Sequence, residues 1–441
     1  MIFGRKRNDD IDDDDEDEEE LELVLFQGAV NGVEANLAEN AKLVQVGLVR
    51  AKELVSDGMG RRAEMIRIDQ KGNAAISTFF IDGVPYPAGK MPAQAGNAIT
   101  QMLKLLAGLD VRERTKPQSG GINAEFEEKK YKLLVDTFPE KTGGERLIVR
   151  VIDPKEKLER PEEIGLSEGI RRMVRDYSSE KNGVIIAAGP PMSGTSTTAL
   201  GLMRCVDAYM YGIFDIARTV KRELSHVTDF KWLEGDDLDA TLMRIKRQDA
   251  DVAVIDPIVS SEIAKPAFDK ASTLSIISEM AARDAADAIV RLVAFVGNPK
   301  LVADQLKLVV SQKLIRMLCT KCKQAFRPNP KLLQKVNLPP ETKVLYRVPR
   351  PIELEDGEIE EPEFCEHCNG IGYRGRIALM EEIHMTPGIA ELILAGKDAA
   401  AIRQQARKEG MQSFQNDALR IVAEGKTTLE ELQRAFRQPA S

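Results

Sequence analysis

The sequence predicts an α/β protein whose core is a mostly parallel sheet, and three observations support this class. An apolar strand, Val184–Ala188, runs into a glycine turn and then into a helix. A second apolar run, Asp251–Ile255, is typical of another buried strand. A charged segment with two prolines, Asp153–Glu163, separates this region from an earlier one with its own strands and helices. Strands that alternate with helices favour a parallel sheet covered on both faces, whose ligands lie at the carboxyl ends of the strands.

The composition is that of a globular chain with an acidic block near its N-terminus. The 441 residues are enough for about three domains, and 43% of them are hydrophobic and 30% charged. The formal net charge of -8 is uneven, because Asp9–Glu22 is almost entirely acidic. Such a block repels itself and is expected to be disordered. It serves either as a solubilising tail or as a docking arm for a basic partner surface.

The N-terminus lacks the pattern of a secretory signal. Met1–Arg7 is basic, but the acidic block follows where a signal peptide needs about 7 to 15 apolar residues. No apolar stretch approaches the roughly 20 residues that cross a bilayer. We therefore expect a cytoplasmic protein that reaches a membrane only through a partner.

Periodicity places helices and strands on both sides of the charged segment. Before it, the predicted elements are a helix within Gly32–Ser56, strands at Met65–Ile68 and Ala75–Ile81, a helix at Ala93–Gly108, and strands at Lys132–Asp136 and Arg146–Ile152. After it, a helix at Ser167–Tyr177 precedes the glycine turn, and Pro387–Ser441 is helical by its apolar spacing.

The glycine turn has the spacing of a phosphate-binding loop but not its lysine. Gly189 and Gly194 are spaced as in G-x-x-x-x-G-K-[ST]. Thr195 stands where the lysine would reach the β and γ phosphates, and Ser196 stands where a hydroxyl would hold magnesium. Backbone donors at the start of the helix can still attract phosphate. The predicted nucleotide-contacting residues are Gly189, Pro190, Pro191, Met192, Ser193, Gly194, Thr195, Ser196 and Thr197.

Four of the five cysteines form two C-x-x-C pairs. Because disulfides are disfavoured in the cytoplasm, the pairs favour a closed, structural zinc site. The predicted ligands are Cys319, Cys322, Cys365 and Cys368. The alternative is a set of reduced thiols without metal. His367 lies inside the second pair and can compete as a ligand, whereas Cys205 is expected to be a small core residue.

The residues around these motifs carry a more specific pattern. Val310–Cys319 leads into the first cysteine pair, and Cys365–Arg376 continues from the second with a run of glycines. Further stretches of the same kind are Lys104–Arg114, Pro117-Gln118, Gly144–Arg150, Arg247–Asp251, Gly410-Met411 and Thr427–Glu431. Together they cover the chain from about residue 50 to its end, and the sequence resembles the ATPases that drive type II secretion and type IV pilus assembly.

The resemblance implies an α/β chain with a Per-Arnt-Sim-like N-terminal domain, a RecA-like P-loop NTPase core, a tetracysteine zinc module and a helical C-terminal part. It also implies a hexameric ring that binds ATP and Mg²⁺ and passes its motion to an inner-membrane platform protein. The predicted segments are an acidic disordered tail (1–30), the N-terminal domain (31–153), a linker (154–163), the core (164–318), the zinc module (319–376) and the helical part (377–441). Most of the family's long N-terminal docking domain is missing here, which leaves the usual membrane-docking partner open.

Several reactive groups of the family are replaced in this sequence. Pro191-Met192 stands where Thr-Gly is customary, and Pro257 occupies the position of a glutamate that manages magnesium and water. Leu274–Asp284 contains no histidine where the family has two, and Ile213–Leu224 shows no Glu-Asp-Pro element. Pro117–Gly121 lacks an arginine that would meet the phosphates. These replacements predict a retained scaffold without efficient hydrolysis.

The sequence therefore predicts a pseudo-ATPase that acts as a structural or regulatory ring subunit, alone or mixed with an active paralogue. One alternative is a slow ATPase that uses Ser196 for magnesium and Asp256 as a displaced carboxylate. Its cationic groups would be Arg114 or Arg146, although salt bridges to neighbouring acids would explain both equally well. A zinc-ribbon nucleic-acid binder is a further alternative, which the weakly basic flanks of the cysteines disfavour.

Overall fold

The computed structural model describes residues 22–140, 144–154, 160–218, 226–338, 342–353 and 358–436. The chain divides into two compact units, Met1–Glu156 and Lys157–Ser441. Among the described residues, no helix has the length and hydropathy needed to span a bilayer.

The first unit is built on an antiparallel sheet of seven strands in the order β1-β5-β6-β7-β2-β3-β4. The strands are β1 (Leu25–Ala29), β2 (Met65–Lys71), β3 (Ala74–Ile81), β4 (Val84–Pro92), β5 (Gln118–Phe126), β6 (Lys129–Pro139) and β7 (Glu145–Ile152). Side chains alternate along β3, where every second residue from Ala75 to Ile81 is buried. This alternation is the expected result of one sheet face packing against helices.

Two helices, α1 (Ala41–Gly60) and α2 (Ala93–Leu106), pack on each other and on the sheet. The approach of α2 to β3 requires Gly96, because a Cβ there would lie 2.3 Å from the Cβ of Ala75. In the last turn of α2, the ammonium of the wholly buried Lys104 lies 2.7 Å from Glu145 Oε1 on β7. It also donates to the carbonyl of Glu113 at 2.6 Å, so the pair fixes the loop that follows α2.

The second unit is built on a sheet in the order β10-β9-β11-β12-β8-β13-β18, parallel except for the last strand. The strands are β8 (Val184–Gly189), β9 (Ile213–Asp215), β10 (Thr228–Asp229), β11 (Val252–Val254), β12 (Ser275–Ala281), β13 (Leu306–Leu318) and β18 (Tyr373–His384). Every residue of β8 is buried. Val184, Ile186 and Ala188 face one core, and Ile185 and Ala187 face another.

Helices cover both faces of this sheet, as predicted. One face carries α3 (Pro161–Ile164), α4 (Glu168–Ser179) and α5 (Thr195–Arg204). The other carries α6 (Leu238–Lys246), α7 (Ser261–Lys270), α8 (Ala285–Val296), α9 (Pro299–Gln305), α11 (Pro387–Leu394) and α12 (Ala399–Lys408).

The β13/β18 hairpin positions the two cysteine pairs, because Leu318 on β13 pairs with Tyr373 on β18 directly beside them. Between the pairs lie β14 (Gln324–Phe326), α10 (Pro330–Val336), β15 (Leu345–Arg347), β16 (Ile352–Glu353) and β17 (Ile359–Glu360). A third apolar cluster joins α10 and the hairpin to α13 (Phe414–Ala423) and α14 (Leu429–Phe436).

The structure confirms the α/β class and the parallel core, and it refines the predicted segments. Residues 25–29, which the sequence assigns to the disordered tail, form β1, while residues 1–21 lie outside the described part of the chain. Pro161–Ile164, at the end of the predicted linker, is the short helix α3. The described residues of the first unit form seven strands where periodicity finds four. β4 contains three prolines and β5 two glycines, which obscure an apolar pattern, and β1 is only five residues long. Its Per-Arnt-Sim-like character stays a prediction.

Candidate nucleotide loop and metal centre

The loop between β8 and α5 adopts the shape that the spacing predicts. β8 ends at Gly189, and α5 begins at Thr195 with Gly194 as its N-cap at φ +82°. Met192 also has a positive φ, +65°, and its side chain is exposed. A residue with a Cβ rarely adopts this conformation, so Met192 occupies a backbone position suited to glycine. We call residues 189–195 the phosphate-type loop.

Gln312 on β13 fastens this loop to the sheet. Its amide nitrogen donates to the carbonyl oxygen of Ser193, and its amide oxygen accepts from the Thr198 hydroxyl. Gly189 and Gly194 leave room for these contacts. A Cβ on Gly189 would lie 2.8 Å from the Gln312 carbonyl oxygen, and one on Gly194 would lie 2.9 Å from the Gln312 amide nitrogen. The glycines therefore preserve a clamped loop, whatever the loop binds.

The hydroxyl of Ser196 is engaged by a carboxylate. Ser196 Oγ lies 2.8 Å and 2.9 Å from the two carboxylate oxygens of Glu279, on the neighbouring strand β12. Glu279 is only 8% exposed. Thr195, where a phosphate loop carries its lysine, brings no cationic group to this point. The position that would meet phosphates and magnesium thus has one positive charge fewer than a P-loop with its lysine, and its hydroxyl is already hydrogen-bonded to a carboxylate.

Two further carboxylates lie at the carboxyl ends of neighbouring strands. Asp215 ends β9 and accepts from the backbone N–H of Ala217 at 3.0 Å. Asp256 follows β11 and accepts from the backbone N–H of Arg218 at 2.9 Å. A cavity of about 20 Å³, lined in part by Asp215 and Glu279, lies at this edge, and its volume is about that of one water molecule.

Asp256 contacts Arg218, which follows β9 in the chain. The Arg218 guanidinium lies 3.5 Å from Asp256 Oδ2 and 4.0 Å from the centre of the Trp232 ring. The Trp232 indole in turn donates to the Ile216 carbonyl at 2.7 Å. The carboxylate that contacts Ser196 is Glu279, and the part of Asp256 as a displaced carboxylate stays a prediction.

The two arginines proposed from the first unit differ in their surroundings. Arg146 contacts Asp69 at 2.5 Å and Glu140 at 3.1 Å, and the hydrogen bond to Asp69 raises the pKa of its guanidinium. These contacts favour the salt-bridge interpretation for Arg146, and Arg150 on the same strand contacts Asp136 at 2.6 Å in a similar way. Arg114 is exposed on the loop between α2 and β5.

The four predicted metal ligands converge. The sulfur atoms of Cys319, Cys322, Cys365 and Cys368 all lie within 4.8 Å of one another. Two of these separations are 3.9 Å (Cys319 to Cys365) and 3.7 Å (Cys322 to Cys368). A tetrahedral zinc site with Zn–S bonds of about 2.3 Å places its sulfurs about 3.8 Å apart. The thiol set therefore fits zinc, and we call it the cysteine cluster.

Backbone contacts fix the turns of the cysteine cluster. The N–H of Cys319 donates to the Gly372 carbonyl at 3.0 Å, and the N–H of Gly372 donates to Cys368 Sγ at 3.2 Å. His367 Nδ1 lies 3.2 Å from Cys319 Sγ, beside the cluster. Although burial opposes it, hydrogen bonding from His367 and from backbone N–H groups lowers the pKa of Cys319 to about 6. Burial raises the pKa of the Cys322 and Cys368 thiols, so the fit to zinc rests on the geometry of the four sulfurs.

Cys205 lies apart from the cluster and is buried in the core around α5, as predicted. Burial raises the pKa of its thiol to about 12, which leaves it a neutral packing group.

Comparison with known proteins decides the family. The sequence model of the family described as "Type II/IV secretion system protein" matches residues 40–434. The chain belongs to this family. It is 28% identical over 384 residues to the type IV pilus assembly ATPase PilB of Thermus thermophilus, an alignment that covers 86% of this chain and 42% of that protein. It is 26% identical over 391 residues to type II secretion system protein E of Aeromonas hydrophila, covering 87% of this chain and 74% of that protein.

Two solved structures of ATPases share the fold of this secretion-family chain. The Yersinia pseudotuberculosis ATPase DotB aligns with a TM-score of 0.55 and 15% identity, over 87% of this chain and 92% of that one. The pilus retraction motor PilT with bound ADP aligns with a TM-score of 0.50 and 15% identity, over 88% and 97%. At this identity the likeness concerns the fold alone.

Two residues of the site were missed by sequence reasoning. Glu279 follows Ser278 in a buried strand, and Gln312 follows Ser311 in another. A polar residue in a buried strand needs a partner, and that requirement was the available signal. Neither partner, Ser196 nor Ser193, can be read from the sequence, because each lies on a different element.

Proposed function

We propose that this chain is a hydrolysis-impaired member of the secretion and pilus ATPase family, with a structural or regulatory part in a type II secretion or type IV pilus-like assembly. The observation that carries the proposal is the contact between Ser196 Oγ and the Glu279 carboxylate, next to a loop whose lysine position is Thr195. The relatives are named as ATPases and as a secretion protein, and the proposal explains why the loop of this chain lacks the lysine of an ATP-binding loop.

Charge is the reason that the loop would bind ATP weakly. A charge-assisted hydrogen bond contributes about 1.5–3 kcal/mol, so loss of the lysine alone weakens phosphate binding roughly 10- to 150-fold. Glu279 adds repulsion toward a polyphosphate at short range. Phosphoryl transfer depends on positioned cationic groups, so turnover is expected to suffer more than binding.

The retained fold supports a part in assembly. The loop is still clamped by Gln312, the cores on both faces of the second sheet are complete, and the cysteine cluster is intact. We propose that the chain enters a ring, either of its own copies or mixed with an active paralogue, and that the ring contacts an inner-membrane platform protein. Co-purification that yields neither a related ATPase nor a platform protein would contradict this part of the proposal.

A slow ATPase is the second candidate, and Glu279 is the observation that favours it. In that case Glu279 and Ser196 together would hold magnesium, as a carboxylate and a hydroxyl suit that ion. The two candidates make opposite predictions for Glu279→Gln, a change that removes the charge and keeps the shape.

The test is phosphate release from Mg-ATP by the wild type, Glu279→Gln and Thr195→Lys/Glu279→Gln. We expect no turnover above background in the wild type. In calorimetric titration, both variants should bind Mg-ATP more tightly than the wild type, because the repulsion between Glu279 and the phosphates is removed. Asp256→Asn serves as a matched control, since the contacts described for this carboxylate are with Arg218. Turnover in the wild type that Glu279→Gln abolishes and Asp256→Asn preserves would establish the slow ATPase instead.

A further inference from the structure

A cavity of about 360 Å³ lies beside the cysteine cluster, away from the phosphate-type loop. It is open to solvent on one side and is lined by the end of β13, the turn after Cys319, the start of β18 and the loop that joins α13 to α14. Small-molecule sites in proteins usually measure about 300–1,000 Å³, so a small organic ligand fits this volume. Nothing in the proposed function requires such a cavity.

The lining of this cavity is cationic. Lys323, Arg374 and Lys426 contribute three positive charges, His367 adds an imidazole, and none of the nine lining residues is acidic. Three cationic side chains around one concave surface concentrate positive potential there, and such a surface attracts anions.

Two of these cations are held by neutral groups. Lys323 Nζ donates to the Gly425 carbonyl at 2.9 Å and lies 4.4 Å from the centre of the Tyr346 ring. Arg374 donates to the His367 carbonyl. These contacts fix the positions of the two groups without cancelling their charge. Lys426 differs, because its ammonium lies 2.7 Å from a carboxylate oxygen of Glu424.

The remaining walls suit an apolar body attached to an anionic group. Met317 and Leu318 supply apolar surface, and Thr320 supplies a hydroxyl. Gly425 shapes the loop, because it has φ +67° and a Cβ there would lie 2.4 Å from the Tyr346 ring. The Lys323 ammonium lies over the same Tyr346 ring, so one aromatic side chain positions both the loop and a cation.

We propose that this cavity binds a small organic phosphate, with the phosphate between Arg374, Lys323 and Lys426 and its organic part against Met317 and Leu318. Phosphate suits the cavity better than a single carboxylate, because it carries up to two charges and several acceptor oxygens for an arginine fork and two ammonium groups. The phosphate can belong to a soluble metabolite or to a lipid headgroup.

Site-resolved lysine protection in the 441-residue chain, prepared with zinc, separates this cavity from the nucleotide loop. Acetylation rates of Lys323 and Lys426 are measured by mass spectrometry with phenyl phosphate, with phenol, and with sodium chloride at matched ionic strength. A parallel arm compares vesicles of phosphatidylglycerol with vesicles of phosphatidylcholine. Lys397, exposed beyond α11, is the internal control.

We expect phenyl phosphate or phosphatidylglycerol to slow acetylation of Lys323 and Lys426 at least threefold, while Lys397 is unaffected. The arm that protects identifies the source of the phosphate. Arg374→Gln should weaken binding of the protecting probe roughly tenfold or more. Arg407→Gln, on the exposed surface of α12, should leave that binding unchanged. Lys426→Ala, at a half-exposed side chain, is a second variant with little risk to folding.

Three results would overturn the proposal. They are an absence of protection in both arms, equal protection by chloride at the same ionic strength, and protection that Arg374→Gln and Lys426→Ala both leave intact. None of them bears on ATP binding, so this proposal and the proposed function can fail independently.

Discussion

The phosphate-type loop and the cysteine cluster are both held by tight, glycine-containing turns in the second unit, yet they differ in the groups they present. The cluster keeps all four thiols at separations that fit zinc. The loop keeps its glycines and its Gln312 clamp, but it has threonine for lysine and Glu279 on the remaining hydroxyl. Both turns therefore have the backbone shape of their motif. Only the cysteine cluster also has all the side chains that its motif requires. The comparison separates the residues that hold a turn in shape, which both places have, from the cationic group of a phosphate loop, which Thr195 replaces.

The largest effect is expected from Cys368→Ser, which removes a buried ligand of the cluster. Zinc binding contributes about 10–16 kcal/mol to the folding of small zinc domains, so we expect loss of the metal and unfolding of the turns around it. Metal content by elemental mass spectrometry, with thermal unfolding on the same sample, checks this. Cys205→Ala is the control and should keep its zinc. Full zinc in Cys368→Ser would mean that the cluster is not the metal site.

Next in size is Glu431→Gln, which breaks the buried contacts that support the hairpin below the cluster. Glu431 is 1% exposed and pairs with Arg316 at 2.8 Å and Arg434 at 2.5 Å. Removing one partner of a buried pair costs about 3–5 kcal/mol. Burial alone would raise the pKa of Glu431, but hydrogen bonds from Arg434 and Arg316 lower it.

The stabilisation from Glu431 is thus present above the ordinary carboxyl pKa and is lost as the pH falls through the lowered value. Denaturant unfolding at pH 7 and in acid should show a difference in the free energy of unfolding between wild type and Glu431→Gln, and this difference should be smaller in acid. A difference that is larger in acid would contradict a stabilising role for the ionised carboxylate.

A smaller effect is expected from Gly189→Ala in the loop. The new methyl group would lie 2.3 Å from Ser193 Oγ and 2.8 Å from the Gln312 carbonyl oxygen, so overpacking should cost about 1–3 kcal/mol. Gly169→Ala is the matched control, because its nearest neighbour is Ser167 Oγ at 3.7 Å and alanine favours the helix. Equal stability of the two variants would show that the loop is not clamped as described.

The smallest effect is expected from Glu381→Gln on β18. Its carboxylate accepts from the backbone N–H of Ala285 at 2.9 Å, and burial raises its pKa. A raised pKa means that this group favours folding in acid and that the benefit is lost as the pH rises. Glu381→Gln should therefore raise the melting temperature slightly at pH 7 and leave it unchanged in acid. An increase in the melting temperature of Glu381→Gln that is greatest in acid would contradict this prediction.

The sequence predicts the parts of the fold that are written in local patterns. The parallel core, the loop after β8 and the convergence of four cysteines follow from apolar runs and from spacing. Strands such as β4 and β5 lack an apolar pattern, because glycine and proline occupy them and pairing with neighbours decides their conformation. Glu279 could not be assigned to Ser196 from sequence, since strand order alone brings β12 beside β8.

The most direct test of the central claim is calorimetric titration of Mg-ATP into the wild type and into Thr195→Lys/Glu279→Gln. If the loop keeps its shape without its charge, the double variant should bind at least about tenfold more tightly than the wild type, because one cation is restored and one anion removed. Micromolar binding by the wild type, unchanged in the double variant, would show that the loop never lost its function.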